Sequence, residues 1–535
     1  MESDNRKNAR IYSLLATQVI QDPYGKGRKR YNAFKILCLV GRNSFSDIFS
    51  IISGPQNRNF KIDQNEPKIN KKLNALYDKV KENLIGITEF AFTKGADGKQ
   101  VFLFFKATGK LEKRWNEDMT RNGKNLKCKI EVVENDRRDL NGRTKGDSVK
   151  ALVDIYPGEL LFRQKPFSTC LAQAQYMGKC YNCMKTVYEP WPCEHCRYAN
   201  FCSEECRKEC WERYHKTECK YSCPAIGCLG LTTMLKGIHS DPSLFLTDEL
   251  GISNFNKYTA SRDSDVNNLI GTSENSFKSV LNLKGVRGKD QADYKKTVLF
   301  SVAYTLLLIQ EKLILDTKHD FFAISKLFLD IHFKTKHNHL GTRKLVDLTK
   351  LNDQSEAFDY HGKTLDTGLI PAINHSCYNN CSVIYDDKFN YIVALRKIRK
   401  GDEITINFGE TKTDCSDSGT DVRREILMER YDFECNCEGC DANWPESLET
   451  TFVGDDEKTK NFNRLFGLFK DAVFCKFEKG DFLSAFETAK KTLEFIENKG
   501  LRSKETLHFQ ERFINFTEMY FNASNSHAND YFSMT

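Results

Sequence analysis

Residues 180–219 read CYNCMKTVYEPWPCEHCRYANFCSEECRKECWERYHKTEC. The spacing is two C-x2-C pairs, then C-x3-C, then H-x3-C. A closed structural zinc site takes four thiolate or imidazole ligands in a tetrahedron, so eight such ligands hold two ions. The stretch therefore predicts a zinc finger with two ions, whose ligands are Cys180, Cys183, Cys193, Cys196, Cys202, Cys206, His215 and Cys219.

Disulfides are the alternative use for so many thiols, but the rest of the chain favours metal. Forty residues are too few for a conventional core, so zinc must contribute much of the folding energy of this segment. Within it, His195 could compete as a ligand, although a bystander role fits better. Cys210, Cys223 and Cys228 fall outside the register and are expected to be ordinary thiols.

Composition is that of a globular protein, and the absence of a signal peptide predicts a compartment in which thiols stay reduced. Its 535 residues are 40% apolar and 29% charged, with a net charge of +7 that is too weak to indicate nucleic-acid binding. The N-terminus lacks the apolar core of a signal peptide, and the run 297–309 is too short for a membrane span and predicts a buried helix. We expect a protein of the cytoplasm and nucleus without membrane association, and the basic cluster Lys26–Arg30 is a candidate nuclear address.

Periodicity divides the remaining chain into strand and helix regions. A hairpin is predicted around Ala96-Asp97-Gly98, and strand, turn and strand over 149–167 with Pro157-Gly158 as the turn. Residues 225–350 show a helical pattern, with a polar stretch near 252–295 that predicts a loop or insertion. Strands are expected again over 381–408, and a helical hairpin over the last 80 residues.

Four segments around the finger carry a resemblance that explains its position. They are KGDSVKALVDIYPGELLFRQKP (145–166), AINHSCYNNC (372–381), KIRKGDEITINFGE (397–410) and TDVRREILMERYDFECNCEGC (420–440). Together they resemble the split SET domain of the SET-and-MYND protein lysine methyltransferases, in which the MYND finger is inserted after the first SET strands. The resemblance covers roughly residues 144–441.

This resemblance implies an α+β fold. Its parts are a SET-type β fold, an inserted zinc-binding MYND finger, a helical SET insertion, a post-SET zinc loop and a helical C-terminal region. The implied boundaries are 1–140 for an N-terminal region of unknown function, 141–175 for the first part of the SET domain, 180–219 for the finger, 225–350 for the helical linker or insertion, 351–410 for the core SET part, 420–442 for the post-SET region and 455–525 for tetratricopeptide-like helices.

The resemblance also assigns the metal ligands to individual ions. It implies an interleaved finger, in which Cys180, Cys183, Cys202 and Cys206 bind one ion and the other four ligands bind the second. A third structural zinc ion is implied by the remote cysteine of AINHSCYNNC and the triplet that ends the post-SET segment, which together supply Cys377, Cys435, Cys437 and Cys440. That site would fix the post-SET loop against the core.

The implied activity is S-adenosylmethionine-dependent methylation of a protein lysine, on a histone or another protein. Such a transfer needs a neutral amine, a narrow dry channel and dipoles that hold the reacting centres in line. By resemblance, the catalytic channel residues are Tyr431 and Phe408. The residues that bind the cofactor are Lys145, Gly146, Asp147, Asn374, His375 and Phe433.

Three departures from the family pattern favour an alternative. Phe408 replaces the tyrosine that the family has after its G-x-E turn, Ser148 replaces a glycine of the first motif, and Asn379 replaces a proline. A SET-like scaffold with weak or no turnover, which recruits partners in transcriptional repression, is therefore a second hypothesis. The finger predicts a proline-containing peptide partner by resemblance, whereas nucleic acid fits poorly because glutamates interleave with its basic residues.

Overall fold

The computed structural model of the protein describes residues 87–94, 100–106, 129–133, 147–172, 175, 179–185, 187, 190–196, 199–219, 229–240, 276–285, 291–310, 318–345, 358–385, 389–408, 418–452, 454, 456–478, 481–499, 502–522 and 532–533. The predicted nuclear address and the proposed cofactor residues Lys145 and Gly146 lie outside these ranges, as do Cys223 and Cys228. Within the ranges, no helix combines the length and the apolar character that crossing a membrane requires.

An antiparallel hairpin precedes the SET region, as the alternating sequence predicts. Strands β1 (Ile87–Lys94) and β2 (Gln100–Lys106) pair with Phe92 opposite Phe102. The short β15 (Phe532–Ser533), near the other end of the chain, adds to β2.

A four-stranded sheet carries the sequence motifs nearest the proposed cofactor site. It consists of β3 (Ile130–Val133), β4 (Ser148–Ala151), β11 (Asn374–His375) and β14 (Glu403–Ile406), in the order β11-β14-β4-β3. Strand β11 runs parallel to β14, whereas β4 is antiparallel to it. This order joins the first SET segment to segments more than 200 residues later.

Two three-stranded sheets complete the SET core. One contains β5 (Leu160–Gln164), β12 (Cys381–Tyr385) and β13 (Asn390–Ala394), and every residue of β13 is buried. The other contains β6 (Ser168–Leu171), β9 (His339–Leu345) and β10 (Phe358–Leu365). The predicted turn at Pro157-Gly158 is present, and Gly158 adopts a φ of +81°.

The finger is small and dominated by turns. It contains β7 (Trp191–Pro192), β8 (Asn200–Phe201) and α1 (Glu204–Cys210), which continues through a π-helical turn (Trp211–His215) into α2 (Lys216–Cys219). Ser203 caps α1, because its hydroxyl accepts a hydrogen bond from the Cys206 N–H. The finger shares a buried core with the helices that follow it.

The predicted insertion is helical, but two details of the prediction are wrong. Its helices are α3 (Leu229–Ser240), α4 (Phe277–Asn282), α5 (Gln291–Gln310) and α6 (Lys318–Asn338). Helix α4 lies entirely within the stretch predicted as a loop and α5 begins within it, and Ser276 caps α4. Strand β9 also lies within the segment predicted to be helical, because pairing with β10 overrides the local pattern.

The apolar run 297–309 lies in α5, but the helix is not buried on all sides. Leu299 is 70% exposed and Leu306 is 53% exposed, whereas Tyr304 and Leu308 are buried. A uniformly apolar run gives no hydrophobic face from which to tell which side packs. The prediction of a helix is confirmed, and the prediction that it is buried is wrong for one face.

After the SET core the chain is helical. Helices α7 (Thr420–Tyr431) and α8 (Glu438–Asp441) frame the post-SET cysteines. Helices α9 (Glu457–Glu478) and α10 (Phe482–Lys499) form the predicted hairpin, and α11 (Lys504–Asn522) adds a third helix within the region 455–525 that was expected to be helical. These three helices enclose a separate phenylalanine-rich core.

Candidate functional site

The finger brings its eight predicted ligands together in two sets of four. Cys180, Cys183, Cys202 and Cys206 form one set, and Cys193, Cys196, His215 and Cys219 form the other. Within each set, the ligand atoms all lie within 4.8 Å of one another. The interleaved pairing implied by the family resemblance is therefore confirmed.

The spacing of the sulfur atoms fits zinc. A tetrahedral ion with Zn–S bonds of about 2.3 Å separates its sulfurs by about 3.8 Å, whereas a disulfide needs about 2.05 Å. The Sγ atoms of Cys183 and Cys202 are 3.7 Å apart, and those of Cys193 and Cys219 are also 3.7 Å apart. Both the donor set and its dimensions are those of closed structural zinc sites.

Groups around the second set hold its histidine in place. The Cys196 sulfur lies 3.4 Å from His215 Nε2, and the other ring nitrogen, Nδ1, lies 3.6 Å from a Glu218 carboxylate oxygen. At this distance the contact is electrostatic and not a hydrogen bond, and it places a carboxylate on the side of the ring away from the sulfurs. The ring of His195 instead stacks on Trp211 at 4.6 Å, so its predicted bystander role is confirmed. Glu218 was not recognised from the sequence.

The third set joins β11 to the post-SET loop. Cys377, Cys435, Cys437 and Cys440 lie together, with Cys377 Sγ 3.9 Å from Cys435 Sγ and 3.6 Å from Cys440 Sγ. Hydrogen bonding with Cys435 and the other two thiols, together with burial, raises the pKa of Cys377. Four thiolates so close together need a cation, and zinc supplies it.

A buried arginine lies against this third set. Arg423 on α7 is fully buried, and its guanidinium donates to the carbonyls of Trp444 and Gly439 and to the sulfur of Cys440, the last at 3.5 Å. Its positive charge opposes the net negative charge of a zinc ion with four thiolates. These contacts give Arg423 a structural role beside the third set.

The side chains of the N-H-S-C motif are held by hydrogen bonds. Asn374 Nδ2 donates to the Asp147 carbonyl at 3.1 Å and to Glu403 Oε1 at 2.7 Å. The Phe408 N–H donates to His375 Nδ1 at 3.0 Å, so the proton of the neutral ring is on Nε2, 3.3 Å from Cys377 Sγ. Burial lowers the pKa of His375 to about 4, which keeps this tautomer neutral.

Aromatic rings surround the same point. Phe408 lies 5.5 Å from Tyr431, 5.4 Å from His375 and 6.4 Å from Phe433, measured between ring centroids. Asp432 ends α7 with its backbone in the left-handed region, at a φ of +57°. This turn lies between Tyr431 and Phe433 and brings both rings into the cluster. The Tyr431 hydroxyl donates to the Phe408 carbonyl at 2.8 Å.

The structure thus brings together six of the eight residues predicted for catalysis and cofactor binding, namely Phe408, Tyr431, Phe433, Asn374, His375 and Asp147. It adds two residues that were not recognised. Glu403 binds Asn374, and His337 from α6 packs edge-on against Tyr431 at 5.4 Å. Glu403 ends the G-x-E turn of the family pattern, but nothing in that turn indicates a contact with Asn374. No local pattern places His337 beside a residue 94 positions away.

Comparison with known proteins agrees with this arrangement. The SET domain family model matches residues 146–409. Relatives include the human protein-lysine N-methyltransferase SMYD4, 24% identical over 55% of this chain and 45% of its own length, and the human histone-lysine N-methyltransferase SMYD3, 24% identical over 59% and 63%. The SET domain and MYND-type zinc finger protein 6 of Schizosaccharomyces pombe is 21% identical over 63% of this chain and 59% of its own length.

These matches, with the inserted finger, define a split SET domain protein. The SET domain match and the named relatives make the chain similar to the SET-and-MYND family and support its place there. It spans about half the length of the SMYD4 relatives and 63% of human SMYD3. A crystal structure of the SET domain of LSMT bound to lysine and AdoHcy covers 78% of this chain and 90% of its own, at 11% identity and a TM-score of 0.24, too low to carry an argument.

Proposed function

We propose that this protein is an S-adenosylmethionine-dependent protein-lysine N-methyltransferase. The observation that carries the proposal is the meeting of Asn374, His375, Phe408, Tyr431 and Phe433 beside the third zinc set. The relatives are named for methylation of protein and histone lysines, which makes a lysine-bearing protein, histone or not, the substrate class.

The donors and rings present fit the cofactor. Both N–H groups of the Asn374 side-chain amide donate hydrogen bonds within the protein. Its Oδ1 atom is therefore the group that can accept a hydrogen bond from an ammonium group. The Phe433 ring supplies an apolar face for an adenine base. When bound, S-adenosylmethionine supplies the methyl group as a sulfonium. Lys145 and Gly146 are proposed to complete the cofactor site.

The channel residues act by shape and water exclusion. Phe408 and Tyr431 pack ring against ring, and such walls favour the neutral form of a lysine amine because a charged group is costly in an apolar surrounding. The Tyr431 hydroxyl is held by the Phe408 carbonyl, so its oxygen retains lone pairs that can orient a donor.

The test is calorimetric titration of S-adenosylmethionine into zinc-loaded protein, followed by transfer of a labelled methyl group to histones and to a panel of lysine-containing proteins. We expect saturable one-to-one binding and label on lysine. Absence of cofactor binding would overturn the proposal.

A second function is favoured by Phe408, which lacks the hydroxyl of the family residue. A scaffold that is stabilised by zinc ions and has weak or no methyltransferase activity would bind partners through its finger and C-terminal helices. Cofactor binding without methyl transfer to any protein of the panel would favour this scaffold over the enzyme.

The finger is proposed to bind a proline-containing peptide. The half-buried Trp211, with His195 stacked on it, supports this role because proline rings pack well on aromatic surfaces. Binding of such a peptide that is unaffected by Trp211→Ala would contradict it.

We also propose residence in cytoplasm and nucleus, tested by imaging a tagged chain with and without the basic residues of 26–30.

A further inference from the structure

Glu403 contacts the proposed cofactor site, although the sequence motif that contains it, the G-x-E turn Gly401-Asp402-Glu403, gave it no role there. It is the first residue of β14, half-buried, and its carboxylate accepts a hydrogen bond of 2.7 Å from Asn374 Nδ2. Strand β14 is parallel to β11, with Asn374 opposite Thr405. Glu403 therefore reaches Asn374 across the β11–β14 strand pair.

The hydrogen bonds to Asn374 decide which way its amide points. The two N–H groups of Nδ2 face two acceptors, the Glu403 carboxylate and the Asp147 carbonyl. Rotating the amide by 180° would point Oδ1 at both acceptors and leave three oxygens in repulsive contact. Among the described residues, none donates a hydrogen bond to Asn374 Oδ1 in the observed orientation.

We propose that Glu403 is a positioning residue that fixes the Asn374 amide so that Oδ1 accepts a hydrogen bond from the ammonium group of the cofactor's methionine part. The inference rests on the proposed function. An ammonium only donates hydrogen bonds, so it complements Oδ1 and would be repelled by Nδ2. Without Glu403, the amide would have one anchor, the Asp147 carbonyl, and could rotate.

The fold itself does not need the Glu403 side chain. Strand β14 is also held by Asn380, whose Nδ2 donates to the Glu403 carbonyl at 2.8 Å and whose Oδ1 accepts from the Thr405 N–H at 2.8 Å. Backbone pairing with β4 and β11 adds further support. Changes to the side chain should therefore affect ligand binding more than folding.

The test compares Glu403→Ala, which removes the acceptor, with Glu403→Gln, which keeps an acceptor oxygen and removes only the charge. The ligands are S-adenosylhomocysteine and its analogue without the α-amino group, titrated calorimetrically into zinc-loaded protein. We expect Glu403→Ala to weaken S-adenosylhomocysteine binding by roughly 10- to 100-fold and binding of the deaminated analogue by less than about threefold. Glu403→Gln should stay within about threefold of wild type for both ligands.

Asp402→Asn is the matched control, because Asp402 precedes Glu403 on an exposed turn and its carboxylate instead accepts from the Arg399 N–H. We expect wild-type binding of both ligands by this variant. If Glu403→Ala fails to fold, Glu403→Asp replaces it in the test, because it withdraws the carboxylate by one methylene. It should also weaken S-adenosylhomocysteine binding more than binding of the deaminated analogue, but by a smaller factor than Glu403→Ala. Thermal unfolding of each variant monitors the fold.

Two results would overturn the inference alone: wild-type affinity in the Glu403→Ala and Glu403→Asp variants, or equal losses for the two ligands. A wild-type protein that binds neither ligand would overturn the proposed function together with this inference. Those outcomes are distinguishable because only the last concerns the unmodified chain.

Discussion

At the scale of single residues, the missing hydroxyl of Phe408 is the departure with the clearest chemical consequence. The retained Tyr431 cannot simply replace it, since its hydrogen bond to the Phe408 carbonyl at 2.8 Å holds its hydroxyl at a different point of the ring cluster. A tyrosine at position 408 would add an oxygen dipole within the ring cluster, where dipoles act strongly because water is excluded. Binding of the cofactor would gain nothing, because Phe408 already supplies its ring.

We therefore expect Phe408→Tyr to raise the rate of methyl transfer by roughly tenfold or more without tightening cofactor binding. The measurements are transfer at saturating S-adenosylmethionine and calorimetric affinity. Phe300→Tyr, which makes the same change on the exposed side of α5, is the control. An unchanged rate in Phe408→Tyr would show that the hydroxyl does not limit turnover.

A second residue makes stability depend on pH. Asp366 is fully buried, accepts a hydrogen bond of 2.6 Å from Asn390, and burial raises its pKa to about 7, against about 3.9 in an unfolded chain. The folded state therefore binds the proton more tightly. The stability that this provides is fully present below about pH 4 and is lost as the pH rises to about 7.

Asp366→Asn keeps an oxygen acceptor for Asn390 but cannot ionise. Between pH 5.5 and 8, we expect wild type to lose about 2 kcal/mol of unfolding free energy relative to this variant. Denaturant unfolding of both zinc-loaded proteins at the two pH values measures the difference. A difference that does not vary with pH would mean that Asp366 titrates near its ordinary value.

At the scale of elements, the three ligand sets give a quantitative expectation for metal content. Mass spectrometry should find three zinc ions per chain, and Cys183→Ser and Cys437→Ser should each remove one. The loss of each zinc ion should also destabilise the chain by several kcal/mol, because metal binding supplies folding energy in these small segments. Cys475→Ser, an exposed thiol on α9 outside all three sets, should retain three ions. Retention of three by either ligand variant would contradict the assignment.

Some elements could be predicted from sequence and others could not, for physical reasons. Zinc ligands are recognisable because metal geometry demands fixed residue types at short spacing, and all twelve are found in the three sets. Strand β9 was missed because its pairing with β10 overrides a helical local pattern, and β10 because its other partner, β6, is distant in the chain. Helix α4 was missed although its Ser276 cap is visible in the sequence, because the polar surroundings suggested a loop.

At the scale of the whole molecule, the site is assembled from parts that sequence alone cannot place together. Asn374 and the Asp147 carbonyl are 227 residues apart in the chain. Family resemblance identified which residues matter, whereas the contacts of Glu403, His337 and Arg423 depend on how distant segments pack. Short motifs are thus predictable, and the residues that orient them emerge only from the tertiary structure.

The C-terminal helices are part of this assembly, since they pack on the SET core at a turn. Gly158 combines a φ of +81° with close contact: a Cβ placed there would lie 2.5 Å from Phe486 of α10. Gly158→Ala should therefore suffer both backbone strain and a steric clash, and lose about 2–4 kcal/mol of stability.

Phe486→Leu should recover only the steric part, because it cannot change the backbone angle. In a double-mutant cycle by thermal unfolding, the two substitutions should thus show a favourable coupling of about 1 kcal/mol or more. Val153→Ala, an exposed position on the same connection, is the control and should show no coupling with Phe486→Leu. Additive effects of Gly158→Ala and Phe486→Leu would mean that the helices do not press on this turn in solution. A coupling would make the C-terminal helices a structural support for the strand that follows the first cofactor motif.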